Sequence, residues 1–145
     1  MGFMWADTLL TAERAHLIRL LIWGGGSVLV GTALLAWLHR GRRSSALLEH
    51  FGIQTAGWGV AELAFGAISL GRVATRDLAA ATRLDRFLWF SVGLDAGFVL
   101  VGLTLLVVGW RLGRRLAVIG AGLAIIVQGI ALALLDLVLA GQISR

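Results

Sequence analysis

The sequence predicts an all-α membrane protein, a four-transmembrane-helix bundle forming one domain over residues 1–145, and three observations lead to this prediction. Hydrophobic residues make up 59% of the chain, charged residues only 14%, and the mean hydropathy is +0.90. The apolar residues form four blocks of about 19–25 residues, each long enough to cross a hydrocarbon core about 30 Å thick. None of these blocks carries the polar stripe that a soluble helix turns towards water. The blocks lie at residues 20–38, 47–70, 87–110 and 116–140.

The segment before the first block is less apolar than the blocks themselves. Residues 1–18 mix apolar side chains with Asp7, Glu13 and Arg14. The segment lacks the basic start and the cleavage-site pattern that mark a signal peptide. We therefore predict an N-terminal helix at the membrane interface that leads into the first span.

The first and third blocks share a short repeat. VLVG at Val28–Gly31 recurs at Val99–Gly102, and the two blocks end in the basic clusters RGRR and RLGRR. Short apolar matches also arise by chance between membrane helices, so chance and duplication both remain open. A duplication predicts two tandem parallel helical hairpins related by an axis along the membrane normal.

The charge of the chain is positive, with a formal net charge of +5. All 13 basic residues are arginine, and most of them lie between the apolar blocks. Arginines in this position orient membrane helices and contact lipid headgroups, so we expect the bilayer as partner and no nucleic acid. Four spans place the N-terminus, the 72–86 loop and the C-terminus on one side, here called side A.

Small residues recur along each block at helical spacing. Close backbone contact drives helix association in lipid, so these residues predict the buried face of each helix. Their spacing of seven is typical of a left-handed bundle with crossing angles near about +20°. They are Gly24, Ser27 and Gly31 in the first block; Gly52, Thr55, Gly59, Glu62, Gly66 and Ser69 in the second; Ser91, Asp95, Gly102 and Gly109, with the pair Gly93 and Gly97, in the third; and Gly122, Gly129 and Asp136, beside Gln128, in the fourth.

Three acidic residues, Glu62, Asp95 and Asp136, lie inside the apolar blocks. A charge near a helix centre costs roughly 2.5–3.5 kcal/mol, so each carboxyl must be protonated, paired or in contact with water. At about 1.5 Å per residue, Glu62 and Asp95 lie roughly 13 Å from side A, and Asp136 roughly 6 Å from it. If the faces of these consecutive helices meet, the Glu62 and Asp95 carboxyls are adjacent. Arg19 lies near the level of Asp136 and is its predicted partner.

Two interpretations of these acids are open. In the first, Glu62 and Asp95 carry a proton or cation, and the Arg19–Asp136 pair is a counter-ion or gate. In the second, protonated acids form hydrogen bonds between helices, with Gln128, Thr55 and Ser91 as partners. Trp23 and Trp58 lie well inside their blocks and are expected to pack between helices. The candidate ligand- or ion-binding residues are Glu62, Asp95, Asp136, Gln128, Arg19 and Trp58.

Three segments are similar to an uncharacterised family of small bacterial four-span membrane proteins, a domain of unknown function. They are QTAGWGVAELAFG (Gln54–Gly66), GLDAGFVLVGL (Gly93–Leu103) and VQGIALALLDLV (Val127–Val138). The residues that fit the family pattern are Trp58, Leu94, Asp95, Gly97, Gln128, Gly129 and Asp136. Glu62 stands where the pattern has Asn, and Phe98 where it has Tyr. The resemblance implies the fold and carries no activity; we expect an integral protein of a bacterial inner (cytoplasmic) membrane.

The residue types argue against an enzyme. The chain has no cysteine, its histidines lack metal-ligand spacing, and no nucleophile or phosphate-binding motif is present. We expect no catalytic residue, no cofactor and no metal. The preferred function is a non-catalytic accessory bundle, or one that binds a small apolar ligand between its helices. The alternative is a proton- or cation-coupled transporter or channel that uses Glu62 and Asp95, and its solute path favours a homo-oligomer or larger membrane complex.

Overall fold

The computed structural model describes residues 2–42 and 44–143, and within these ranges the regular secondary structure is helical. Helix α1 spans Gly2–Arg40, α2 spans Ala46–Leu70, α3 spans Leu78–Arg111, and α4 spans Leu116–Ile143. The hydroxyl of Ser45 accepts from the Leu48 N–H at the start of α2, at 3.4 Å. Asp77 Oδ1 accepts from the Ala80 N–H at the start of α3, at 2.7 Å. These caps satisfy backbone donors that a first helical turn leaves free. The four helices confirm the all-α prediction for the described residues.

Helices α1 and α3 begin earlier than the apolar blocks predict. Residues 2–18 are helical and continue without a break into the first span, as predicted for the N-terminal helix. Leu9, Glu13 and Leu17 recur every fourth residue on one face of this segment, and all three are buried. The segment packs near the start of α3 and the end of α4, in a cluster formed by Leu88, Leu139 and Ala140 with Ala12, Leu84 and Ile143.

Three helices are long and apolar enough to cross a membrane, as expected for a membrane protein. These are Ala6–Arg40, Leu78–Arg111 and Leu116–Ile143. Helix α2, the second predicted span, is not among the three. It carries Glu49, His50, Gln54 and Glu62, which lower its hydropathy.

Helix α4 holds the other helices together. Helix α3 packs along α4, α1 packs along α2, and α4 also contacts both α2 and α1. The backbones of α2 and α3 stay apart throughout the part of the chain that the structure describes. Close backbone packing of the α2 face on the α3 face, the condition for adjacent Glu62 and Asp95 carboxyls, is therefore absent from the described residues. The buried face of α3, with Asp95, Gly102 and Gly109, packs on α4 instead.

The hairpins α1–α2 and α3–α4 make the same glycine contacts. A Cβ built on Gly31 would lie 2.6 Å from the Gly52 carbonyl oxygen, and one on Gly102 would lie 2.7 Å from that of Gly122. A second contact also recurs about two helical turns closer to side A. Gly59 lies against the Gly24 carbonyl in the first hairpin, and Gly129 lies against the Asp95 carbonyl in the second. Because the four positions of one hairpin correspond to those of the other, the repeat extends from the sequence to the packing.

The ends of the repeat also match in backbone conformation. Arg42 after α1 and Arg114 after α3 both adopt positive φ, 47° and 56°. Arg43, the last residue of RGRR, lies outside the described residues. The basic clusters therefore form left-handed turns at corresponding positions, which branched side chains would disfavour.

One predicted helix contact is wrong. A Cβ built on Gly93 or Gly97 would meet no atom within 4 Å. Helix α3 turns the face of Asp95 towards α4, so this glycine pair lies on the outer surface. The pair therefore contributes nothing to packing within one copy of the described chain.

Replacing Gly59 with alanine is expected to lower the thermal stability of the detergent-solubilised protein. The new Cβ would lie 2.8 Å from the Val28 amide nitrogen and closer still to the Gly24 carbonyl. Overpacking of this kind costs about 1–3 kcal/mol, more than the ~1 kcal/mol that alanine gains in helix propensity. Gly57→Ala on the same helix meets open space and serves as the control. Equal melting temperatures for the two variants would contradict the α1–α2 contact.

Candidate functional site

A cavity of about 680 Å³ lies between α2 and α3, in the half of the molecule that holds the loop joining them. Helices α1 and α4 form its other walls. Its volume is typical of small-molecule sites, which range over about 300–1,000 Å³. The walls are mainly apolar, with aromatic and acidic side chains among them. The aromatic residues are Trp58, Phe65, Phe87 and Phe98, and the acidic residues are Glu13, Glu62, Asp95 and Asp136.

Glu62 and Asp95 face this cavity from opposite sides. Each residue is only 5% exposed. Both carboxylate oxygens of Glu62 and Oδ2 of Asp95 are buried without a hydrogen-bond partner. The interpretation in which Thr55, Ser91 and Gln128 form hydrogen bonds to the acids is therefore wrong for these three oxygens. A buried polar group without a partner costs about 1–3 kcal/mol, so this arrangement does not serve packing.

Gln128 is engaged elsewhere. Its Oε1 accepts from Trp23 Nε1 at 2.6 Å, and its Nε2 donates to Ser27 Oγ at 3.0 Å. With only 2% of its surface exposed, Gln128 is completely enclosed between α4 and α1. This network joins the two helices and leaves the Gln128 amide unavailable to the acids. Trp23 packs between helices, as predicted.

Asp136 pairs with a residue other than the predicted one. His16 Nε2 lies 3.4 Å from Asp136 Oδ1, and His16 Nδ1 lies 3.2 Å from the Leu135 carbonyl oxygen. Arg19 is exposed, and the predicted Arg19–Asp136 pair is wrong. His16 lies on the buried face of α1, whereas Arg19, three residues further along the helix, is exposed.

Trp58 and Phe98 close the inner end of the cavity. Their rings meet edge to face, with centroids 4.8 Å apart and planes at 66°. They are the cavity-lining residues of α2 and α3 that lie furthest from the connecting loop. Glu62 follows Trp58 by one turn, and Asp95 precedes Phe98 by almost one turn. Both carboxyls therefore lie next to this ring pair, and the prediction that Trp58 packs between helices is confirmed.

The loop end of the cavity is basic. Arg76 forms a bidentate ion pair with Glu13, with Nε donating to Oε2 at 2.8 Å and Nη2 donating to Oε1 at 2.6 Å. Hydrogen bonding to Glu13 raises the pKa of the Arg76 guanidinium and holds it charged. Arg72 and Arg83 line the same end and are exposed. The cavity is thus acidic inside and basic at its outer edge.

The model of a family of unknown function, DUF6992, matches residues 19–137 of the chain. The chain belongs to DUF6992. The predicted resemblance to an uncharacterised family is confirmed by this match. Neither a curated protein nor a solved structure matches the chain.

The DUF6992 match covers most of the cavity but not all of it. Glu62, Asp95 and Asp136 lie inside the matched segment, whereas Glu13 and His16 precede it. Over the described ranges, no group of three or more histidine, aspartate or glutamate side chains is placed to hold a metal ion. The DUF6992 segment therefore supplies the inner carboxyls, and the preceding turns of α1 supply part of the outer wall.

His16 and Glu13 were not predicted as site residues. A usable signal exists, because extending the small-residue face of α1 backwards from Gly24 by helical spacing reaches Leu20, His16 and Glu13. The Glu13–Arg76 pair has no such signal. Its residues are far apart in the sequence, and an arginine in a loop has many acidic residues within reach.

Replacing Glu13 with glutamine is expected to loosen the loop between α2 and α3. The pair joins a nearly buried carboxylate, 9% exposed, to a guanidinium that is 30% exposed. Its loss costs about 1–3 kcal/mol, between the values of exposed and buried pairs. Trypsin cleaves after arginine, so limited proteolysis after Arg72 and Arg76 reports the change. The control is Asp7→Asn, on an exposed position of α1; equal cleavage rates in both variants would contradict a role for the pair.

Proposed function

We propose that this DUF6992 chain is an integral four-span bundle of a bacterial inner (cytoplasmic) membrane that binds a small, mainly apolar ligand. The ligand lies in the cavity between α2 and α3, and the bundle performs no chemistry on it. The observation that carries this proposal is a ligand-sized apolar cavity lined by Glu62 and Asp95, which bury three carboxylate oxygens without a partner. Apolar walls with a few placed polar groups are typical of such sites.

The fourth span of this proposal is α2. Its 25 residues give a length of about 37 Å, enough to cross a hydrocarbon core of about 30 Å. Glu62 on this helix faces the cavity, while Val60, Phe65 and Ile68 are exposed at its surface. This distribution turns apolar side chains towards lipid and keeps the acid inside the bundle.

Aromatic residues near the helix ends also favour a membrane setting. Trp37 near the end of α1 and Trp110 near the end of α3 are each about half exposed. The Arg114 guanidinium lies 4.6 Å from the centroid of the Trp110 ring. Indole rings and arginines of this kind are enriched where a helix passes through the lipid headgroups.

The gap between α2 and α3 gives the ligand a way in. Because the backbones of these helices stay apart, a molecule dissolved in the bilayer can reach the cavity from the side. The route requires no opening of the α1–α2 or α3–α4 hairpins, whose glycine contacts are tight. The proposed ligand is therefore one that partitions into membranes.

Saturable quenching of tryptophan fluorescence by 4-bromobiphenyl, a neutral apolar probe, tests this function. Trp58 lines the cavity, so the wild-type protein is expected to show a saturable component. Ser91→Phe fills the cavity and removes that component, whereas Leu100→Phe, on the exposed face of the same helix, retains it. Linear quenching with the same slope in all three proteins would show partitioning into the micelle alone and would refute the proposal.

Proton- or cation-coupled transport is the second candidate function. Glu62, Asp95 and Asp136, the three acids inside the apolar blocks, all line one cavity. In vesicles that contain a pH-sensitive dye, an imposed membrane potential is expected to drive proton entry that Glu62→Gln removes. Equal proton entry into vesicles with and without the protein would exclude this function.

A solute path of this kind favours a homo-oligomer or larger membrane complex. The mass of the protein in mild detergent tests this expectation.

A further inference from the structure

We propose that the ligand of this cavity is a lipophilic organic cation, an amine or onium compound with aromatic or branched alkyl groups. Its charge lies between the carboxyls of Glu62 and Asp95, and its apolar part lies against Trp58 and Phe98. This inference rests on the proposed function and adds the sign and chemical class of the ligand. It derives from the distribution of charge in the cavity and from the two aromatic rings beside the acids.

Three of the four helices place an acidic residue in the wall of the inner cavity. Glu62 faces it from α2, Asp95 from α3, and Asp136 from α4. The basic residues that line the cavity all lie nearer side A. His16 is beside Asp136, Arg76 is held by Glu13, and Arg72 and Arg83 are at the exposed edge. A positive group next to the ring pair therefore meets two carboxyls and no basic side chain.

The unpartnered oxygens indicate that the inner site binds a group that pairs with carboxylates. Buried carboxylates in proteins are paired or hydrogen-bonded, because their burial without a partner is costly. Here Glu62 and Asp95 line the cavity, and three of their oxygens are buried without a partner. A cationic ligand supplies the missing partner, and a neutral ligand leaves it unsupplied.

The aromatic residues favour an organic cation over a bare ion. Trp58 and Phe98 lie within about one turn of the two carboxyls, and a cation is attracted to the face of such rings. An inorganic cation such as Ca²⁺ requires about 6–8 oxygen ligands at short range. The described residues provide no group of three or more acidic or histidine side chains with that spacing. A cation with apolar substituents also fills the remaining cavity.

The basic edge of the cavity suggests a competing ligand, an anionic lipid whose phosphate binds Arg72 and Arg83. Such a lipid places its acyl chain beside Glu62 and Asp95, where the carboxyls remain without partners. An anionic lipid therefore pairs with Arg72 and Arg83 but gives Glu62 and Asp95 no partner. We favour the cation, and a comparison of ligands of opposite charge separates the two.

The test compares radiolabelled tetraphenylphosphonium and tetraphenylborate, which have similar shapes and opposite charges, by equilibrium dialysis against the detergent-solubilised protein. We expect the cation to bind the wild-type protein about 10–100-fold more tightly than the anion. The double variant Glu62→Gln, Asp95→Asn is expected to lose this preference. Glu49→Gln, which changes an exposed carboxyl on α2, is expected to retain it.

Two further outcomes separate this inference from the proposed function. Equal binding of both ions to the wild-type protein, or tighter binding of the anion, overturns the inference without the use of any variant. If 4-bromobiphenyl still quenches saturably in that case, the cavity binds ligands but does not select for positive charge. If neither 4-bromobiphenyl nor tetraphenylphosphonium binds saturably, the proposed function fails together with the inference.

Discussion

Replacing Glu62 with methionine is expected to stabilise the protein and to weaken the binding of tetraphenylphosphonium. Both oxygens of the Glu62 side chain are buried without a partner, and their removal relieves a cost of about 1–3 kcal/mol. Methionine has a similar length and fills irregular spaces well, so no cavity is left behind. The expected result is a higher melting temperature in detergent, with binding measured in parallel.

The control for this experiment is Glu49→Met, which removes an exposed carboxyl from the same helix. We expect it to change the melting temperature little and to leave ligand binding intact. A gain in stability with weaker binding is the behaviour of a residue retained for function at the expense of stability. If Glu62→Met instead destabilises the protein strongly, Glu62 has a structural partner, and the account of the site is wrong.

Replacing Gln128 with leucine is expected to have a large effect of the opposite sign. Interhelical hydrogen bonds in membrane proteins are worth only about 0.6 kcal/mol on average. Gln128, however, bridges Trp23 and Ser27 and is almost completely enclosed. Its loss strands both partners, at about 1–3 kcal/mol for each buried group left without a hydrogen bond. The expected result is a lower melting temperature.

A double-mutant cycle makes this second prediction specific. Once Gln128→Leu has removed the acceptor, Trp23→Phe removes a stranded donor, so the two changes together are expected to cost less than their sum. Gln54→Leu, at a half-buried position of α2, is the control and is expected to have little effect. Strict additivity of Gln128→Leu and Trp23→Phe would show that the Trp23–Gln128 hydrogen bond contributes nothing.

The buried faces of the helices were predictable from the sequence. In α2, the spacing of Gly52, Gly59 and Gly66 marks the face that the structure buries. Glycines at an interval of seven return to one side of a helix, and in lipid this is the side that packs. The pattern is local, so it needs no knowledge of which helix forms the other half of the contact.

The identity of the covering helix was not predictable in the same way. A short loop suggested that α2 and α3 are neighbours, yet α3 packs on α4 and leaves the gap that forms the cavity. The choice between Arg19 and His16 as the partner of Asp136 failed for a related reason. Depth and charge favoured Arg19, but the direction of the side chain around α1 decides the contact, and it favours His16.

The positions of the acids along their helices were predictable, but the absence of partners for them was not. Small polar side chains occur on every buried face, so the sequence offered Thr55, Ser91 and Gln128 as partners. The structure places Gln128 against α1 and leaves both carboxylate oxygens of Glu62 buried without a hydrogen-bond partner. Whether a buried acid is satisfied depends on side chains from other helices, and these come together only in the folded chain.

The labelling of single cysteines in native membranes shows whether the cavity between α2 and α3 is open to ligands at its acidic residues. The chain has no native cysteine, so each introduced thiol is the only one present. Ser91→Cys lines the cavity, and Leu100→Cys lies on the exposed face of the same helix. A small, water-soluble, positively charged thiosulfonate is expected to label Ser91→Cys, tetraphenylphosphonium is expected to slow this labelling, and Leu100→Cys is expected to remain unlabelled. Equal labelling of both positions, or labelling of Leu100→Cys alone, would contradict an open cavity.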